Sequence, residues 1–241
     1  MSHIYGVLPV LEALRAGNRR IERLVIADSA RHERLREILD AAKQAHIPFR
    51  REPKAALDRL SQNANHQGVI ALVAAAQYAD ADAILAAITP QTLLILLDGI
   101  EDTHNLGAII RTAECAGASA VIIPERRAAH LTEIVAKASA GAIEYLPVAR
   151  VTNLASFIEQ LKRRNVWVVG LDANAKMSYD KYDYQGATAL VFGNEGAGLH
   201  RLVRERCDVI VSIPMRGKIS SLNVSVSVGV VLFEALRQRR K

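Results

Sequence analysis

Three polar stretches of the chain combine residue types that bind ligands and assist proton transfer. In the first, residues 102–113, Asn105 and Arg111 stand six positions apart after an apolar run. A guanidinium beside apolar residues favours a phosphate or carboxylate partner, because its fork of donors matches their oxygens. We expect both side chains on roughly the same side of a helix, since six residues span less than two turns. A salt bridge within the chain would explain Arg111 equally well.

The second stretch is a glycine-rich turn after the apolar residues 190–192, with the sequence Gly193-Asn194-Glu195-Gly196-Ala197-Gly198. Glycine lets a backbone approach a ligand closely. The order G-x-x-G-x-G differs from the G-x-G-x-x-G of dinucleotide sites, and no ribose-binding acidic residue follows about twenty positions on, which disfavours a nicotinamide cofactor. Glu195 also argues against a phosphate cradle, because a carboxylate repels phosphate.

The third stretch runs from the apolar residues Val209–Ile213 through a polar turn with Ser221, Leu222 and Asn223 into a helix-like segment. In α/β proteins such strand–loop–helix transitions bind ligands, because strand-end carbonyls and helix N-terminal amides are left unpaired there. The alternative is that Ser221 and Asn223 only cap the helix.

Alternating apolar runs and amphipathic segments predict the scaffold that carries these stretches. The pattern favours an α/β fold with a mostly parallel sheet covered by helices on both faces. The predicted strands are 93–97, 120–123, 145–148, 166–171, 189–192 and 209–213, and the predicted helices are 106–116, 130–140 and 154–164.

Residues 1–74 predict a small α/β unit of their own. We expect helices at 5–16, 31–45 and from Pro53 to 60, and strands at 24–27 and 69–73. The Ala-rich stretch 75–90 is interpreted as a linker, although its composition fits an ordinary helix equally well. Residues 91–241 would then form the second domain.

Composition limits the classes of partner. Lys and Arg number 31 against 25 Asp and Glu, a formal charge of +6, which suits a polyanion such as nucleic acid. A solvated basic surface would account for the excess equally well. No apolar run approaches a membrane span, so we expect a soluble cytoplasmic protein. Cys115 and Cys207 lack metal-site spacing, so we expect two buried thiols and no metal.

Together the three stretches resemble, in order and spacing, the signature motifs of the SpoU family of RNA 2′-O-ribose methyltransferases in the SPOUT superfamily. The resemblance covers about residues 93–237. It implies S-adenosylmethionine as cofactor, methyl transfer to a ribose 2′-OH of structured RNA, a deep trefoil knot and a homodimer. One departure is Thr103, where the family usually has proline, which changes loop stiffness more than chemistry.

The N-terminal segment, with Ile4-Tyr5-Gly6 and His66-Gln67-Gly68, is similar to the RNA-binding domain of one bacterial subgroup. That subgroup methylates a guanosine ribose in 23S ribosomal RNA. A transfer-RNA target, a resistance enzyme that modifies ribosomal RNA, and a non-catalytic RNA-binding protein are the alternatives. Our candidates for RNA contacts are Arg19, Arg20, Arg50 and Arg51.

The motif match also implies roles for individual residues. The implied cofactor contacts are Gly193, Asn194, Gly196, Ile213 and Leu222. The implied polar catalytic positions are Asn105, Arg111, Glu195, Ser221 and Asn223. A guanidinium donates and does not accept, so we expect Arg111 to bind a neighbouring phosphate and stabilise the developing alkoxide. The proton would leave through that phosphate, Glu195 or water.

Overall fold

A computed structural model describes residues 2–31, 33–194 and 196–240. The helices and strands in chain order are β1 (Ser2–Tyr5), α1 (Val7–Ala16), β2 (Ile21–Ala27), α2 (Leu35–Gln44), β3 (Phe49–Glu52), α3 (Lys54–Leu60), β4 (Val69–Val73), α4 (Ala81–Ala86), β5 (Leu93–Asp98), α5 (Thr103–Cys115), β6 (Ala120–Pro124), α6 (Glu133–Ala138), β7 (Val148–Val151), α7 (Leu154–Lys162), β8 (Trp167–Leu171), β9 (Met177–Ser178), β10 (Thr188–Gly193), α8 (Arg201–Arg206), β11 (Val209–Ser212) and α9 (Val224–Arg239).

The chain forms two compact units. The first combines the residues up to 77 with residues 130–145, and the second combines 78–129 with the residues from 146 onward. Segment 130–145, which the sequence analysis assigned to the second domain, thus belongs to the first unit. Its α6 lies against β1, where the backbone N–H of His3 donates to the Glu133 carboxylate at 2.7 Å. Apolar spacing within a helix does not reveal which sheet the helix covers.

The first unit is built on a four-stranded sheet in the order β1-β4-β2-β3. Strand β2 supplies both sides of it: Leu24 and Ile26 pack with α1 and α2, whereas Val25 and Ala27 pack with Leu57 of α3. This alternation follows from the two-residue period of a strand. Strands β1 and β3 were not predicted from the sequence, because β1 has only four residues and the four residues of β3 are mostly charged and exposed.

The second unit holds a seven-stranded sheet in the order β7-β6-β5-β10-β8-β11-β9, and every neighbouring pair is parallel. The predicted parallel α/β fold is therefore confirmed. All six residues of β5 are buried, as expected for a strand covered on both faces. Strand β7 lies three residues later than predicted, because residues 142–144 form a short 3₁₀ turn. The trefoil knot stays a prediction.

Two sequence-based expectations outside the sheets need correction. The predicted linker 75–90 contains α4, whose Leu85 is buried in the core of the second unit. Cys115 is exposed rather than buried, because it lies on the outer side of the last turn of α5. Cys207 is partly buried, and burial raises the pKa of its thiol to about 12. Among the described residues, no helix has the length and apolarity needed to span a membrane.

A nearly buried ion pair fixes segment 130–145 within the first unit. The Arg19 guanidinium lies 2.7 Å from the Glu144 carboxylate, and the two side chains are only 10% and 3% exposed. Burial raises the pKa of Glu144, while the Arg19 charge opposes that rise. Asn18 also donates to the Glu144 backbone carbonyl at 2.9 Å. Arg19, a candidate for RNA contact, is therefore engaged inside the protein.

Arg19→Met should destabilise the first unit by about 3–5 kcal/mol at neutral pH, because it leaves a buried carboxylate without its cation. The loss should shrink as the pH falls, since a raised folded-state pKa means that the folded protein takes up the proton first. Urea denaturation at two pH values measures this. Arg20→Met, at an exposed neighbour, is the control. A loss that does not vary with pH would contradict the prediction.

Candidate active site

The carboxyl ends of four neighbouring parallel strands, β5, β10, β8 and β11, meet at one edge of the second sheet. Beside them the loops that follow β8, β10 and β11 enclose a pocket of about 400 Å³. The predicted residues on its wall are Gly193, Asn194, Gly196, Ile213, Ser221 and Leu222. Glu195 lies outside the described residues.

The turn after β10 is closed by its own backbone. Asn194 and Gly198 exchange two backbone hydrogen bonds, of 3.1 and 2.8 Å, and the Asn194 side chain accepts from the Gly196 N–H at 2.9 Å. A Cβ atom on Gly193 would lie 2.2 Å from the carbonyl carbon and oxygen of Gly198. Only glycine fits at this position, so the close approach fixes the shape of the pocket wall.

The Asn194 side chain also connects this turn to the neighbouring strand. Its amide nitrogen donates to the Gly99 carbonyl at 2.9 Å, directly after β5. Just before that point the buried Asp98 accepts from the backbone N–H and the ring Nδ1 of His200, at 2.7 and 3.0 Å. Both ends of the glycine turn are thereby held to the end of β5.

The loop Leu171–Asn174 after β8 forms a wall that the sequence analysis missed. Asp172 accepts from the Asn174 backbone at 2.8 Å and from Arg204 Nε at 3.0 Å. The backbone hydrogen bond, aided by Arg204, holds the pKa of Asp172 below its usual value, so the carboxylate stays ionised at neutral pH. The sequence signal was a polar residue after a predicted strand, but only the strand order places β8 between β10 and β11.

Asn223 joins the third stretch to the first. Its side-chain oxygen accepts from the Ser225 backbone and so caps α9, as the capping alternative proposed. Its amide nitrogen donates to Asn105 Oδ1 at 2.9 Å. Asn105 lies in the first turn of α5, where its backbone N–H donates to the capping Asp102 carboxylate at 2.7 Å. One side chain therefore both begins α9 and fastens it to the start of α5.

Arg111 lies elsewhere on α5. Six residues turn an α-helix by 600°, which leaves Asn105 and Arg111 about 120° apart, so the expectation that they share a side was wrong. Thr112, seven residues on, faces α9, where a Cβ on Gly229 would lie 3.6 Å from its methyl group. Arg111 is exposed, is not on the pocket wall, and makes no ion pair within the residues that the structure describes.

The pocket fits a medium-sized cofactor with both apolar and charged parts. Its volume lies in the range of small-molecule sites, and its walls combine apolar residues such as Phe192, Ile213 and Leu222 with exposed backbone groups. Asp172 adds an ionised carboxylate to the wall, although one of its oxygens already accepts from Arg204. S-adenosylmethionine, with its sulfonium and amino groups, matches this set of residues.

Replacing Gly193 by alanine should weaken cofactor binding, because the added methyl group must displace the Gly198 backbone. Overpacking of this kind costs roughly 1–3 kcal/mol, so we expect affinity for S-adenosylmethionine to fall by roughly 5- to 150-fold in calorimetry. Gly229→Ala, where the methyl group finds ordinary contact distances, is the matched control. Thermal melting shows whether the variant is folded, and unchanged affinity of a folded Gly193→Ala protein would refute the steric argument.

Two family models match the chain, one for most of each unit, and segment 130–145 falls within the second match. Residues 92–233 match the model of the SpoU rRNA methylase family. Residues 3–79 match the model described as RNA 2′-O ribose methyltransferase substrate binding.

Similar proteins match over nearly the whole chain. YacO of Bacillus subtilis (strain 168), assigned to the TrmH family of tRNA/rRNA methyltransferases, is 42% identical and the match covers 98% of this chain and 96% of YacO. The SpoU methyltransferase AviRb from Streptomyces viridochromogenes, solved with AdoMet, is 28% identical with a TM-score of 0.81, covering 98% and 90% of the two chains. An AdoMet-bound rRNA methyltransferase from Sinorhizobium meliloti is 27% identical with a TM-score of 0.81, covering 100% and 88%.

The matched models and relatives, together with the pocket at the strand ends, confirm the resemblance seen in the three polar stretches. The chain belongs to the SpoU family and is an S-adenosylmethionine-dependent RNA 2′-O-ribose methyltransferase.

Proposed function

We propose that this enzyme methylates a guanosine ribose of 23S ribosomal RNA in the cytoplasm. The proposal rests on the match to the rRNA methyltransferase from Sinorhizobium meliloti. That match covers the first unit as well as the catalytic unit. A transfer-RNA target is the second candidate, because the name of the 42% identical relative covers both RNA classes.

Mapping ribose methylation in cells with and without the gene separates the two candidates. Loss of one 2′-O-methylguanosine from 23S ribosomal RNA supports the proposal. Loss of a methylated ribose from transfer RNA, with ribosomal RNA unchanged, supports the second candidate. Purified enzyme should restore the missing methyl group on the extracted RNA.

The residues of the pocket hold the cofactor in our proposal. Gly193, Asn194 and Gly196 offer backbone groups, while Ile213 and Leu222 cover its apolar parts. S-adenosylmethionine supplies an activated methyl group on its sulfonium when bound. The chain therefore has to orient the ribose hydroxyl in line with that methyl group and help its proton to leave.

Asn223 and Asn105 are positioning residues in this mechanism. Their 2.9 Å hydrogen bond links the start of α9, beside the cofactor pocket, to the start of α5, the helix that carries Arg111. Ser221 lines the pocket, and we assign it as the polar group next to the reacting hydroxyl. The proton leaves through the adjacent phosphate, Glu195 or water.

Arg111 binds the phosphate next to the target ribose and stabilises the alkoxide that forms there. Its exposure and its lack of an ion pair within the described residues support this role, because a cation that binds a ligand must be accessible and not already paired with a carboxylate. A planar fork holds two phosphate oxygens at once, which a lysine ammonium does not do.

Arg111→Lys should therefore lower methyl transfer by about tenfold or more, the usual effect of losing a hydrogen bond to a charged group. Affinity for S-adenosylmethionine should stay the same, since Arg111 is not on the pocket wall. Single-turnover methylation of RNA and calorimetry measure the two quantities. Arg163→Lys, at an exposed position after α7, is the control for replacing a surface arginine by lysine away from the site. A fully active Arg111→Lys enzyme would contradict the role.

The enzyme works as a homodimer in our proposal, and α9 provides part of the interface. Val226 and Phe233, seven residues apart and so only about 20° apart around the helix, are 50% and 49% exposed. Val230 lies between them on the same side and is half-buried. An exposed apolar stripe of this kind is typical of a protein contact.

Val226→Glu combined with Phe233→Glu should convert the dimer into a monomer, because two carboxylates would be buried without cations. Light scattering after size-exclusion chromatography measures the mass. Leu202→Glu, at an equally exposed apolar residue of α8, should leave the dimer intact. A wild-type protein with the mass of one chain would refute the proposed assembly.

A further inference from the structure

The first unit contains a cavity of its own, of about 440 Å³, at one end of its sheet. Three segments enclose it: the loop after β2, the start of α3, and the loop 61–68 before β4. Its volume lies within the range of small-molecule sites. The lining residues used below are Ser29, Arg31, Lys54, Asp58, Asn63 and Asn65.

Positive charge dominates the cavity rim. Arg31 and Lys54 are exposed, and neither makes an ion pair within the described part of the chain. The carboxylate on the wall, Asp58, already accepts from His66 Nε2 at 2.9 Å. Two unpaired cations beside one engaged carboxylate favour an anionic ligand such as phosphate.

His66 holds the wall rather than binding a ligand. Its ring is only 4% exposed, and its Nδ1 accepts from the Gly68 backbone at 2.9 Å. Because Nδ1 accepts, the ring proton is on Nε2 and is donated to Asp58. A Cβ on Gly68 would lie 2.8 Å from Ala30 Cβ, so this end of the loop is packed tightly against the segment after β2.

The backbone of loop 61–68 is held by hydrogen bonds in an energetically unfavourable conformation. Asn63 and Gln67 have positive φ angles of 63° and 52°, a conformation that non-glycine residues adopt rarely. The Asn63 N–H donates to the Asp58 carbonyl at 2.7 Å, and the Ser61 hydroxyl lies within hydrogen-bond distance of the Asp58 and Ala64 carbonyls. Backbone strain of this kind concentrates at binding sites, where a preformed shape serves a ligand.

We infer that this cavity binds one unpaired nucleotide of the substrate RNA. Its phosphate lies toward Arg31 and Lys54, and its base edge lies toward Ser29, Asn63 and Asn65. Side-chain amides both donate and accept, so they can pair with the edges of an unstacked base, which is how proteins recognise single-stranded RNA. No phenylalanine, tyrosine or tryptophan stands among the described lining, and the His66 ring is only 4% exposed, so hydrogen bonds rather than stacking select the base. The inference rests on the proposed function, because it gives the RNA-binding unit its specific contact.

Removing both rim cations tests the site directly. Arg31→Gln with Lys54→Gln is compared with Lys43→Gln and Arg59→Gln, which removes the same charge from the same unit outside the cavity. The probes are a pool of labelled hairpin RNAs with a randomised loop and a fully paired duplex of the same length. We expect the first variant to bind the hairpins about tenfold more weakly, with a salt slope reduced by roughly 0.7 for each lost phosphate contact. Duplex binding should fall no more than in the control.

Asn65→Leu tests the base edge without changing the charge. The substitution keeps roughly the side-chain size but removes the amide donor and acceptor, so hairpin affinity should fall while thermal melting stays unchanged. In methyl-transfer assays the cavity variants should raise the KM for RNA and leave kcat and the affinity for S-adenosylmethionine as in the wild type.

Two results would overturn the inference: equal weakening in the cavity variant and its matched control, or unchanged hairpin affinity in the cavity variant. Both leave the proposed function standing, provided that the wild-type enzyme methylates ribosomal RNA. Failure of the wild type to methylate 23S ribosomal RNA would instead remove the proposed function, whatever the hairpin measurements give.

Discussion

The backbone of Gly193 lies so close to that of Gly198 that no side chain fits between them. This contact depends on the parallel register that brings Gly193 beside Asp98 at the ends of β10 and β5. It brings the two ends of the glycine turn together on the wall of the pocket. The other two pocket loops follow β8 and β11, so the same sheet edge positions all three.

Hydrogen bonds between loops then fix the positions of the loops at this sheet edge. Asn194 connects its turn to Gly99, and Asn223 connects the start of α9 to Asn105. Each of these amides both donates and accepts, so one side chain can satisfy two chain segments that arrive from different strands. Asn194, Asn105 and Asn223 therefore hold the loops of the site in place, in addition to any contact with a ligand.

Much of this arrangement was predictable from the sequence, because buried parallel strands are continuous apolar runs and β5, β6, β8, β10 and β11 were found within a few residues. The pocket residues on the second and third stretches were predicted through the family resemblance. The loop with Asp172 was not predicted as part of the site, since the order of the strands along the chain does not give their order in the sheet. The position of Arg111 was misjudged by simple helix geometry. The packing of segment 130–145 with the first unit was not foreseen, because its contacts with β1 and Arg19 are between residues far apart in the chain.

That inserted segment has a consequence for how the protein is made. The first unit includes residues 130–145, and the last of these is synthesised about 70 residues after residue 77, a delay on the order of 3–14 s at ordinary rates of synthesis. During that interval the nascent sheet has all four strands but lacks α6, and Arg19 has no carboxylate beside it. The N-terminal part of the chain therefore reaches its final packing only after the segment that interrupts the second unit has been synthesised.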